Sequence, residues 1–152
     1  EITKKRNRNQ FHKLMMIPRV LISSSNPDTS CTILGRKCKY PFGFAPTAMN
    51  QLANKEGEKV PARIANEYEL AYCLSLLSTT SFSDIKQFNG NGLRLLQMYV
   101  SVNWETTVRT IQFAEKYGFH GLAITVDAQV LGVRRKEKLY QFDSSSFKFP
   151  IL

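Results

Sequence analysis

A carboxylate and two guanidinium groups stand close together in AITVDAQVLGVRR, residues 123–135. The first residues read as a buried strand, Asp127 falls where that strand should end, and Gly132, Arg134 and Arg135 follow. A carboxylate at a buried strand end must be paired or hydrogen-bonded. An arginine fork suits a carboxylate ligand because it offers parallel donors. Other polar residues intrude at comparable places: Thr47 after PFGFAP, Ser75 in AYCLSL, Gln97 and Tyr99 in LRLLQMYV, and Thr125 ahead of Asp127. Ser75 or Thr125 alone would read as a satisfied core hydroxyl, and Tyr99 alone as packing with a wet tip. Gln97 is harder to dismiss, since a buried amide has four hydrogen-bonding sites to satisfy.

These residues recur at the ends of elements that alternate along the chain. PFGFAPT, AYCLSL, LRLLQMYV and GLAITVDA read as strands. Between them, GEKVPARIANEYELA carries helical apolar spacing, with Pro61 near its start where proline is tolerated. In STTSFSDIKQF, Ser81 and Asp84 resemble a capping box. NWETTVRTIQFAEKYG is the clearest helix, with Asn103 as N-cap, a stripe of Val108, Ile111, Phe113 and Ala114, and Gly118 at its end. Strand–helix alternation predicts a parallel sheet with helices outside. All strand C-termini then lie on one face, which is where α/β folds bind ligands. Residues 1–40 read as an irregular lead-in containing a short strand in CTILG, and residues 136–152 read as loop.

The 152-residue chain is long enough for one domain with a core. It has no run of apolar residues long enough for a membrane-spanning helix, and no signal-peptide pattern. Cys31, Cys38 and Cys73 form no CxxC and no paired framework, so they read as reduced thiols of an intracellular protein. Neither His12 nor His120 sits near a cysteine at ligand spacing, so no metal is expected. Much of the net charge of +9 lies in the first forty residues, but without aromatic interleaving or a helix-turn-helix pattern. It reads as a solvated basic surface, and nucleic acid is not expected as a partner. The Rossmann glycine fingerprint, the P-loop and the G-x-S-x-G elbow are absent.

FGFAPTAMNQLANKEGE, RLLQMYV and ITVDAQVLGVRR together resemble the FMN-dependent 2-hydroxy acid oxidases and dehydrogenases. EITKKRNRNQFHKLMMIPRVL is similar to the segment that precedes the barrel in that family. The resemblance implies a (β/α)8 TIM barrel with FMN at the strand C-termini, in which residues 41–135 form the first four βα units after a 1–40 lead-in. It implies that Pro46, Thr47 and Ala48 run past the flavin ring, and that Ser75, Gln97 and Thr125 hydrogen-bond it. Tyr99 would bond the substrate, Arg134 would bind its carboxylate, and Asp127 would stabilise the catalytic histidine in its charged form. The implied reaction is oxidation of a small 2-hydroxy acid to the 2-oxo acid, in a complete protein expected to be a homo-oligomer, peroxisomal or cytoplasmic.

A complete barrel needs about 250 residues. The family's histidine base, second substrate arginine, flavin-contacting lysine and phosphate loops all fall in the half that has no counterpart here. Leu77 stands where the family carries tryptophan, and Ala128-Gln129 where it favours threonine-proline. These departures define the alternative, a non-catalytic half-barrel or decayed homologue. A half-barrel would present unpaired strand edges, so the isolated chain is expected to be marginally stable and prone to aggregation.

Overall fold

The computed structural model describes residues 2–23, 25–128, 130 and 132–152. Glu1, Gln129 and Leu131, which belong to segments quoted above, lie outside the described residues.

Four strands form a parallel sheet: β3 (Gly43–Phe44), β4 (Ala71–Ser75), β5 (Arg94–Met98) and β6 (Gly121–Ile124). Their order in space is their order in sequence. Between them run α2 (Lys59–Glu67), α3 (Phe82–Asn89) and α4 (Trp104–Lys116). The alternation read from the sequence is therefore the architecture of this region. β4 and β5 are covered along nearly their whole length, which explains why they read as continuous apolar runs.

Local chemistry sets the helix ends. Ser81 Oγ accepts from the Asp84 backbone N–H at 3.2 Å. The Asp84 carboxylate turns to Lys59 instead, 3.5 Å away, so half of the expected capping box forms. Asn103 Oδ1 accepts from Glu105 N at 3.0 Å to start α4. The core lies between the helices and one sheet face. It joins Leu74, Leu96 and Met98 to Ala62, Ala65, Ile85, Phe82 and Ala114. The buried face of α4 differs from the expected stripe: Thr107, Thr110 and Ala114 are buried, while Phe113 is exposed.

Several expectations need correction. The lead-in holds a helix, α1 (Ile2–Gln10), with no buried residue, and a hairpin of β1 (Cys31–Ile33) and β2 (Arg36–Cys38). The stretch read as terminal loop contains α5 (Arg135–Leu139), and its Ile151 is buried in the core. β6 ends at Ile124, before Asp127, and β5 ends at Met98, before Tyr99. Leu122 and Ile124 register with Leu96 and Met98, yet are 40% and 51% exposed. Beyond β6 no further strand pairs among the described residues.

Candidate functional site

The parallel register places Ser75 beside Gln97, and Gln97 beside Ala123, at the C-terminal ends of β4, β5 and β6. Thr125 follows Ala123 on the same face by strand alternation. The three polar side chains meet directly. Ser75 Oγ donates to Gln97 Oε1 at 3.2 Å, and Gln97 Nε2 donates to Thr125 Oγ1 at 2.9 Å. Gln97 Oε1 also accepts from Leu76 N at 3.4 Å, and Ser75 Oγ from Leu77 N at 3.2 Å. Ser75 and Gln97 are buried. The row thus answers the problem of a buried amide by linking three strands through their side chains.

Thr47 lies past the end of β3, and its hydroxyl turns back to Ala45 O at 3.4 Å. It makes no side-chain bond to the row. The segment carrying Pro46, Thr47 and Ala48 is nevertheless fixed at the same end of the sheet. Met49 N donates to Leu77 O at 3.1 Å, and Asn50 Nδ2 donates to Thr47 O at 2.7 Å.

The group that holds this segment is Glu58, to which the sequence reading gave no role. It is fully buried and meets no cation among the described residues. Its Oε1 accepts from Asn50 N (3.0 Å), Asn50 Nδ2 (3.2 Å) and Thr79 N (3.0 Å). Its Oε2 accepts from the hydroxyls of Thr79 and Thr80, both at 2.7 Å. Burial pushes the carboxyl pKa up, but these hydrogen bonds outweigh it and hold the group below its ordinary value of 4.5. Gly57 makes the approach possible: its φ is +56°, and a Cβ there would lie 2.8 Å from Gln51 Cγ. The available signal was the E-G-E run followed by the Thr79-Thr80 pair.

The remaining expected site residues are not drawn into the row. Tyr99 is 41% exposed. Asp127 is exposed, which corrects its reading as a buried strand-end carboxylate, and it forms no ion pair among the described residues. Arg134 pairs with Glu137 at 2.8 Å at the start of α5. His120 lies at the opposite end of the sheet, where its Nδ1 accepts from Arg94 N at 3.2 Å. A cleft of about 470 Å³ sits between α3, α4 and the C-terminal Pro150–Leu152, away from the polar row.

A row of fixed donors and acceptors at the C-terminal ends of parallel strands suits a planar, hydrogen-bonding ligand. The model of the FMN-dependent dehydrogenase family matches residues 1–149. Rat 2-hydroxyacid oxidase 2 is 36% identical over 93% of the chain and 40% of its own length. Spinach glycolate oxidase is 37% identical over 86% of the chain and 35% of its own length. A mandelate oxidase variant solved with a C4a-hydroxy-FMN adduct superposes with a TM-score of 0.88 at 25% identity, over 96% of this chain and 44% of that one. The chain spans at most about two fifths of the curated relatives it matches. With a family match running almost end to end and an alternating fold that superposes on a flavin enzyme, the chain belongs to the FMN-dependent dehydrogenase family.

Proposed function

We propose that this chain is the N-terminal part of an FMN-dependent oxidoreductase that converts a small 2-hydroxy acid to its 2-oxo acid. In this reading the four-stranded sheet is the first half of a (β/α)8 barrel, closed by the portion of the relatives that the chain does not span. The observation that carries the reading is the Ser75–Gln97–Thr125 row at the strand C-termini. The Thr125 hydroxyl proton and the second Gln97 amide N–H are not used within the row. They fit the acceptor edge of an isoalloxazine, and the backbone of Thr47 and Ala48 would lie along the ring. When bound, FMN supplies the electron-accepting chemistry.

The residues of this chain then bind and orient. Arg134, released from Glu137, would take the substrate carboxylate as a bidentate partner. Tyr99, already exposed, would hydrogen-bond the substrate. Asp127 would orient a histidine base contributed by the remaining portion and raise its pKa. In the full-length polypeptide, Arg134→Met should raise KM for the acid at least about tenfold, as expected for loss of a charge-assisted bidentate contact. Unchanged kinetics in Arg134→Met and Tyr99→Phe together would contradict the assignment.

A second reading is a non-catalytic fragment or decayed homologue. It is favoured by the positions of Tyr99, Asp127 and Arg134, none of which joins the polar row. A full-length polypeptide that binds FMN but oxidises no 2-hydroxy acid would select this reading.

A further inference from the structure

The β1–β2 hairpin lies across the end of the sheet opposite the polar row. Lys39 N donates to Glu69 O at 3.1 Å, just before β4. Arg36 Nη1 donates to Asn91 O at 3.0 Å, just before β5. Leu34 packs so closely on the start of β6 that a Cβ on Gly121 would meet its Cδ1 at 3.3 Å. The hairpin is therefore a plug, touching the N-terminal ends of three strands.

Its turn fixes its register. Leu34 and Gly35 both have positive φ, 47° and 74°, as a two-residue type I′ turn requires. Ile33 then faces Arg36, Thr32 faces Lys37, and Cys31 faces Cys38. The sequence spacing did not reveal this pairing. Directly opposed residues of an antiparallel pair share a face, with Cα atoms about 4.5–5.5 Å apart. That lies within the Cα separation a disulfide spans, about 4.4–6.8 Å. Cys31 is partly exposed and its Sγ lies 3.5 Å from Tyr40 O, while Cys38 is buried.

We propose that Cys31 and Cys38 are a reversible dithiol–disulfide pair, closed by a hydroperoxide and reopened by a dithiol reductant. The Cys31 thiolate attacks the peroxide, the O–O bond breaks, and a sulfenic acid and hydroxide (or alkoxide) form. Cys38 then attacks that sulfur, the S–S bond forms and the S–O bond breaks, and the released hydroxide takes up a proton as water. Two electrons pass from the two sulfurs to the peroxide, and the two thiol protons end on its oxygens. Opposed strand positions hold the Cβ atoms at or beyond the wide edge of disulfide spacing, so the bridge is strained and easily reduced. Cys73 is excluded from exchange by place and by chemistry. It is buried within β4, and burial pushes its thiol up to about 11. Burial, with Cys31 and Glu69 nearby, also raises the Cys38 thiol, so the accessible Cys31 is the first to be oxidised.

The test is treatment of the full-length polypeptide with hydrogen peroxide, then alkylation and non-reducing peptide mapping, in buffer and in denaturant. The proposal expects one intramolecular Cys31–Cys38 bridge, an alkylated Cys73 and full reversal by dithiothreitol. Because the hairpin presents the thiols to each other, the bridge should form about tenfold faster in buffer than in denaturant. In Cys38→Ser, a dimedone adduct should appear on Cys31. Alkylation of both Cys31 and Cys38 after treatment, a bridge that includes Cys73, or equal rates in buffer and denaturant would overturn it.

Discussion

A carboxylate with neither exposed surface nor a cationic partner stays ionised only if hydrogen bonds replace its water. Glu58 meets that requirement with donors from Asn50, Thr79 and Thr80. Its pKa is lowered in the folded state, so its contribution to stability is present above its ordinary value of 4.5 and is lost as pH falls through the lower folded value. Glu58→Gln should cost about 2–3 kcal/mol near neutral pH, as expected for lost charge-assisted bonds. It should also flatten the acid limb of a stability-versus-pH curve measured by urea unfolding. Gln97→Leu should cost about 1–3 kcal/mol, because Ser75, Leu76 N and Thr125 lose their shared partner. Sequence reasoning found Gln97 because an amide in an apolar run is conspicuous. It gave Glu58 no role because an acid before a lysine and a helix looks like ordinary surface.

At the scale of elements, strands and helices were legible wherever burial wrote a periodicity. β4, β5 and α4 are such cases, and Ser81 and Asn103 marked helix starts by cap chemistry. The polar α1 and α5 bury nothing, so no pattern announced them. Arg94 shows another limit. It begins β5 and is buried, yet has no acidic partner among the described residues. Its guanidinium donates to Asn89 Oδ1 (3.2 Å), Gly90 O (2.8 Å) and Gly118 O (3.0 Å), at the C-terminal ends of α3 and α4. The negative ends of two helices stand in for a carboxylate. Arg94→Leu should lower unfolding stability by about 2–4 kcal/mol, as both helix ends lose their donor. An unchanged urea midpoint would contradict this role.

At the scale of the molecule, the sheet stops at β6 with Leu122 and Ile124 on an uncovered face and edge. An edge strand of that kind invites pairing with another chain. The isolated chain should therefore self-associate in a concentration-dependent way on gel filtration, and Leu122→Lys with Ile124→Lys should reduce that association. A sharp, concentration-independent melt of a monomer would contradict this account of the edge. The parallel alternation was readable from the sequence, and the common end of the polar residues followed from it. The side chains that meet there could only be seen once register was known.

Flavin titration of the full-length polypeptide, comparing the native sequence with Gln97→Leu and Thr125→Val, tests the polar row most directly. The account predicts a bound yellow chromophore in the native protein. It predicts at least about tenfold weaker FMN binding in each variant, the scale of one lost buried hydrogen bond with its partner stranded. Native-like FMN affinity in both folded variants would contradict it.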